Sequence, residues 1–447
     1  MHRIIPIKNK ITLNIIRIMG NNNCLFKALI CSILLLSISM KAQKPTLTYA
    51  GNEPKVQNPL SPEDSQKHIQ VPDGFENVLF AAEPNIINPI AFSWDERGRL
   101  WVLQSTDYPH GLANDVGGDR ITICEDTNND GKADTFIDFA TEQSLSTGIT
   151  IVKGGAIVAQ APEMVFLQDT NGDDKMDKRT VLFDGFGTFD THAGPSNLHY
   201  GPDNMIWGSV GYSGFENTFN EKDVKFTMGV YRFSKKGDFI EPIGRFNNNT
   251  WGMGIGEDFE IFGSTANNNH CCYVGIPLRH YNYLNDTKKR PSWAINSDFI
   301  QGHYDITAVA ENPLQQVDVR GGYTAAAGAN LYTARNFPQK YWGQMLVCEP
   351  TGHIVHLANI KEKGAGYEEV DGGNLFASTD EWTAPVFAET GPDGNVWIAD
   401  WYNPVIQHNP DKRGMDNQIW NANKGKGNAH LNPLRDKGHG RIYIVRI

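Results

Sequence analysis

From Val71 onward one pattern recurs: a short polar segment, an apolar run of strand length, a Gly/Asp turn, then a second apolar run. The copies read NPIAFSWDERGRLWVLQ from Asn88, STGITIVKGGAIVAQ from Ser146, SNLHYGPDNMIWGSV from Ser196, NTWGMGIGEDFEIFGST from Asn249, GANLYTARNFPQKYWGQMLVCE from Gly328 and TAPVFAETGPDGNVWIAD from Thr383. Aligned on Trp101, Ile157, Trp207, Phe262, Leu346 and Trp397, they are spaced by 56, 50, 55, 84 and 51 residues. That is the length of a four-stranded blade with its loops. A lone hairpin buries one face, whereas sheets stacked radially bury both, so the repeat predicts an all-β fold, a six-bladed β-propeller over 71–447. The wide fourth spacing marks a long insertion at 275–327, expected as a lid or rim loop. The first apolar run, 75–82, and the last, 441–447, are expected to close the ring.

Ahead of the repeat, 43–70 is rich in Pro, Asn, Gln and Ser and reads as a mobile linker. Before it, Ala28–Met40 is an apolar run of thirteen residues behind a basic stretch, with Ala42 a suitable cleavage position. The run is short for a membrane span, so 1–42 reads as a signal peptide, with an uncleaved anchor as the alternative. The expected location is periplasmic or extracellular.

Lys plus Arg total 40 against 51 Asp plus Glu; without 1–42 the balance is 34 to 51. No basic block tracks a phosphate backbone, which excludes nucleic acid as the expected partner. Of six cysteines, Cys124, Cys271, Cys272 and Cys348 follow the signal, with no CxxC or CxxCH. Buried thiols are expected, with neither a redox dithiol nor covalent haem.

In a propeller the loop entering the first strand of a blade and the loop leaving the second open on one face. This gathers Asn88, Thr147, His192, Asn249, Trp251, Trp382 and Thr383 from entering loops. Leaving loops supply Gln104, Gln160, Tyr212, Asn267, Asn268, Glu349, Asp400 and Tyr402. Such a face is where a ligand pocket is expected, and its aromatic residues are not what solvent alone favours. His192, in DTHAGPSNL, is the candidate proton acceptor, with Asp190 fixing its tautomer or capping the turn. Glu349 and Asp400 hold matched positions in successive blades; they are either Ca²⁺ ligands in the channel or hydrogen-bonding anchors for loops.

Two acidic loops stand apart. Asp126, Asn128, Asp130, Gly131 and Asp134 have the 1, 3, 5, 6, 9 spacing of a Ca²⁺ loop, and Asp169, Asn171, Asp173 and Asp177 repeat it 43 residues on. Ile137 and Thr180 stand where an EF-hand needs Glu. Each loop is expected in an outer hairpin away from the channel, either holding a structural Ca²⁺ or forming a plain Asp/Asn/Gly turn.

VPDGFENVLFAAEP, PIAFSWDERGRLWV, DTHAGPSNLHYGPDN, NNTWGMGIGEDFEIFGSTANNN, YTAAAGANLYTAR, CEPTGHIV, DEWTAPVFAETGPDGNVWIADWYN and HGRIYIVRI stand in register along the chain. On these motifs the sequence resembles the membrane-bound dehydrogenase family, exported propellers related to glucose/sorbosone quinoprotein dehydrogenases. The resemblance implies oxidation of a carbohydrate or polyol, with pyrroloquinoline quinone and Ca²⁺ as cofactors and a separate cytochrome-type protein as electron acceptor. It makes His192 the catalytic base. As cofactor-contacting residues it leaves Asn249, Trp251, Trp382, Thr383 and Tyr402, with Arg320, beside GGYTAAAG, the nearest cation. Two other functions fit the same ring: a Ca²⁺-dependent lactone or ester hydrolase, and a noncatalytic carbohydrate-binding or interaction propeller.

Overall fold

The computed structural model describes residues 57–108, 117–219, 221–266, 269–281, 323, 325–404, 406 and 435–447. The expected signal peptide, most of the 275–327 insertion, Arg320, Asn267 and Asn268 lie outside the described residues. All the described residues belong to one compact unit, Pro54–Ile447. No described helix is long and apolar enough to cross a membrane.

The described strands form the six sheets of a six-bladed β-propeller, plus one small hairpin, Phe215–Phe219 with Lys222–Phe226. Each blade is a meander whose first strand lines the axis. These inner strands are Pro89–Trp94, Gly148–Val152, Pro195–Tyr200, Thr250–Ile255, Ala327–Leu331 and Pro385–Thr390, each touching the next around the closed ring. The second strand of a blade is covered on both faces by its neighbours. Leu100–Gln104, Gly155–Gln160, Ile261–Thr265, Met345–Glu349 and Val396–Asp400 are therefore buried at every position. That is why these segments read as unbroken apolar runs and not as an alternation.

The turn between the first two strands has its own lock. In three blades the turn aspartate accepts the indole N–H of the aligned tryptophan: Asp95 from Trp101, Asp203 from Trp207 and Asp393 from Trp397, each at 3.0 Å. The Asp-turn-Trp pattern is thus a local clamp, satisfying the indole N–H at the base of these three blades.

The ring closes with chain ends. Glu76–Ala82 pairs antiparallel with Arg441–Arg446, so the first long strand becomes the outermost strand of the last blade. The end of the segment expected as a mobile linker differs from that expectation over its described part. Pro62–Gln66 forms a helix whose N-cap Ser61 accepts from the Asp64 N–H, and Ile69–Gln70 adds a fifth strand beside Gly366–Ser378. Polar composition concealed this because the segment is held through backbone groups: Leu60 O accepts from Arg441 and the Gln57 carbonyl from the Trp382 indole.

Candidate functional site

At the face where entering and leaving loops converge lies a cavity of about 720 Å³, counting the space open to solvent above it. Its wall includes His192, Thr191 and Thr147 from entering loops, Ser105, Tyr108, Pro350 and Trp401 from leaving loops, and Trp251 on an inner strand. Ile90, Leu145, Ala325, Ala327, Val386 and Ile406 complete it, so the surface is mainly apolar with hydroxyls and one imidazole set into it.

His192 is held by its backbone. The turn Asp190–Ala193 closes through Ala193 N–H to Asp190 O at 3.1 Å, and the Asp190 carboxylate accepts the His192 N–H at 2.9 Å. The carboxylate thus caps the turn, one of the two roles expected for it. Asn249 anchors this turn from the next blade: its Nδ2 donates to His192 O at 3.1 Å and its Oδ1 accepts from Tyr212 N at 3.3 Å. Asn249 is buried behind the wall and positions His192 rather than facing the cavity. The imidazole lies 4.5 Å from the Trp251 ring, centroid to centroid, and 5.9 Å from that of Tyr108.

Tyr108, Trp401 and the Arg435 guanidinium form a second group. Tyr108 and Trp401 meet edge to face at 5.6 Å, and the guanidinium stands 5.2 Å from the Tyr108 ring and 5.8 Å from that of Trp401. Burial raises the Tyr108 pKa far above the ordinary phenol value, and it lowers that of Arg435. The first effect keeps the phenol neutral, and against the second the guanidinium is stacked on the two aromatic rings, a cation–π arrangement.

Other expected site residues fall elsewhere. Trp382, Thr383 and Tyr402 do not line the cavity. The Trp382 indole donates to Gln57 O at 2.6 Å, and Thr383 donates its hydroxyl to Ser378. Tyr402 donates to Asp380 at 2.8 Å beneath the Arg441 guanidinium, 3.4 Å from the ring. They form the seam that seats residues 57–60 on the last blade. Trp401 turns to the cavity and Tyr402 away from it, because consecutive side chains in an extended segment alternate and Tyr402 itself has a φ of +48°.

Glu349 and Asp400 both accept from backbone N–H groups of nearby loops. Glu349 accepts from Ala325 N and Thr351 N, both at 3.0 Å; Asp400 Oδ1 accepts from Ala384 N at 2.7 Å and Tyr402 N at 2.9 Å. Each clamps its own blade's entering loop, as Gln104 does in the first blade by accepting from Ile87 N at 2.7 Å. Neither carboxylate lines the cavity. Burial lifts the Asp400 pKa to about 7, with Arg441 opposing it.

The two acidic loops lie between the third and fourth strands of the first and second blades, on outer hairpins. Their oxygens accept from their own backbone: Asp126 from Asp130 N and Gly131 N, Asp169 from Gly172 N and Asp174 N. Asp134 and Asp177 accept from both the backbone N–H and the hydroxyl of Thr127 and Thr170, while Asn128, Asp130, Asn171 and Asp173 form local turns. Asp174, which stands where the first loop has glycine, adopts a φ of +62°. Its carboxylate is bound at 2.8 Å by two nitrogens of Arg99, which tie the two blades together.

Sequence reading missed Tyr108, Thr191 and Ser105 as wall residues. The available signal was position: each lies one to four residues from a blade end or from His192 itself.

The sequence matches, over residues 61–447, a family described as a domain of unknown function, DUF7133. No curated protein matches it. Among solved structures, a Trichoderma reesei member of carbohydrate-active enzymes family AA12 superposes with a TM-score of 0.50 at 10% identity, covering 89% of this chain and all of that one. The quinone-dependent domain of a pyranose dehydrogenase from Coprinopsis cinerea gives 0.48 at 11% identity, over 85% of this chain and 97% of that one. A Thermus thermophilus protein described as an oxidoreductase, glucose dehydrogenase, gives 0.48 at 10%, over 83% of this chain and 100% of that one. At these identities the likeness is one of fold.

Proposed function

The chain belongs to the DUF7133 family, and from the geometry of its mouth we propose that it binds a carbohydrate or polyol there and oxidises it, with His192 accepting the hydroxyl proton. The observation that carries this reading is the imidazole held between Trp251 and Tyr108 in the wall of the axial cavity. Aromatic faces stack on the apolar face of a sugar ring, and the hydroxyls of Ser105, Thr147 and Thr191 offer hydrogen bonds to its edge. The apolar residues around them thin the water near the imidazole, so the proton passes to a ring nitrogen of His192 with little competition from solvent.

The cofactors implied by the resemblance divide on this wall. A planar quinone suits the surfaces of Tyr108, Trp251 and Trp401, and the guanidinium beside them suits an anionic ring substituent. When bound, such a group supplies the acceptor for the two electrons that leave with the substrate's hydride. Ca²⁺ has no such match: no described wall residue carries a carboxylate or side-chain amide, and Glu349 and Asp400 are engaged with backbone N–H groups. The same gap disfavours the Ca²⁺-dependent hydrolase. Export and a separate electron-accepting protein remain parts of the proposal, resting on the resemblance.

The test is dye-linked oxidation over a panel of sugars and polyols, with pyrroloquinoline quinone added with and without Ca²⁺, alongside quenching of tryptophan fluorescence. Quinone-dependent dye reduction that His192→Asn lowers about 100-fold or more, with sugar binding retained, is expected. Sugar binding without turnover under any condition would instead establish a noncatalytic carbohydrate-binding propeller, which the aromatic wall alone would also serve.

A further inference from the structure

Away from the mouth, three donors from two blades meet in the protein interior. His270 precedes the strand Cys272–Val274 of the fourth blade; His356 and Glu369 lie on the third and fourth strands of the fifth, Ile354–Lys363 and Gly366–Ser378. Their ligating atoms all fall within 4.8 Å of one another, and all three residues are buried, none more than 7% exposed. Glu369 Oε1 sits 2.6 Å from His270 Nε2 and 3.9 Å from His356 Nε2. Three donors at Zn²⁺ distances of about 2.1 Å around a tetrahedral centre stand about 3.4 Å apart, a separation these two bracket. Asp371 Oδ1 lies 3.9 Å from the same His356 nitrogen, on a side chain 35% exposed, so a fourth oxygen stands on the solvent side.

The local backbone is shaped around this cluster. The ladder between the two strands slips on both sides of His356, between Val355 and His356 and again before Ala358. The Tyr323 ring stacks on His270 at 4.3 Å and fixes its plane. Glu369 Oε2 is nevertheless buried without a hydrogen-bond partner, so the contact with His270 leaves the carboxylate an oxygen unused. We propose that His270, His356 and Glu369 bind one Zn²⁺ ion, with Asp371 or water as the fourth ligand, pinning the fourth blade to the fifth. Two imidazoles and carboxylate oxygen are a donor set for a first-row transition metal, not for calcium. This proposal is independent of the chemistry at the mouth.

The full chain, stripped with a chelator and dialysed, is titrated with Zn²⁺ and, separately, with Co²⁺. One tight equivalent of Zn²⁺, a rise in Tm on its addition and visible Co²⁺ bands of a nitrogen–oxygen site are expected. His356→Gln and Glu369→Gln should each weaken binding at least tenfold, while Asp130→Asn in the outer acidic loop should leave it unchanged. No stoichiometric Zn²⁺ binding by the wild-type chain would overturn the proposal. So would a Co²⁺ spectrum with thiolate charge-transfer bands, which would move the ion to the nearby Cys271 or Cys272; that readout on the wild-type chain stands even if the variants fail to fold.

Discussion

His192 and Trp251 come from different blades, yet their rings lie 4.5 Å apart at a tilt of 34° in the wall of one cavity. The contact joins a group able to move a proton to a surface able to orient a ring. The two are therefore separable by kinetics. His192→Asn should lower kcat by about 100-fold or more with little change in KM, as loss of a proton acceptor does. Trp251→Ala should mainly raise KM, by about tenfold, as loss of a binding surface does. Asn249→Ala should move kcat without touching substrate, since the side chain bridges the His192 carbonyl and the Tyr212 N–H. Steady-state kinetics on the three variants check the assignment.

Gly328 sits on an inner strand with a φ of +50°, and a Cβ there would come within 2.4 Å of the Val386 carbonyl oxygen in the next blade. Gly328→Ala should cost about 1–3 kcal/mol in urea unfolding, through strain and a clash with backbone that cannot yield. Gly74, at a φ of +88° with nothing within 4 Å, isolates the conformational part. Gly74→Ala should cost less.

Asp400 gives a pH dependence with a definite sign. Burial raises its folded pKa from 3.8 to about 7, so between those values the folded protein holds a proton that the unfolded chain has released. Its contribution to stability therefore falls as pH rises from about 4 to 7 and is level above that. Asp400→Asn keeps an oxygen to accept from Ala384 and Tyr402, and replaces the buried, unpartnered Oδ2 by an uncharged amide. Relative to wild type, the variant should gain stability as pH rises from about 4 to 7 and hold that gain above it, in thermal melts at matched ionic strength.

A chain beginning at residue 71 should melt several degrees below one beginning at residue 43. It loses the Leu60 carbonyl that accepts from buried Arg441 at 2.7 Å, the Gln57 carbonyl that accepts from Trp382, and the strand Ile69–Gln70. Equal melting temperatures would show this seam to be energetically idle.

The division between what was legible early and what was not follows from range. Periodicity and the Gly/Asp turns report contacts a few residues apart, and these specify a blade, its repetition and hence the ring. His192 and Trp251 were legible as candidates because both sit at blade ends, where the topology must bring them to the axis. Whether a residue at a blade end faces the cavity or the seam depends on single-residue parity and on what packs behind it. Trp401 and Tyr402 are neighbours with opposite fates: Tyr402 turns to Asp380 and Arg441, and Leu60, arriving from the far end of the chain, donates to its hydroxyl. Glu349 and Asp400 could be named from sequence as acidic, but which backbone N–H groups they accept from was decided only by what the fold brought within about 3 Å. The His270, His356 and Glu369 cluster carries no spacing motif, since its members are 86 and 13 residues apart. It exists only because two blades meet.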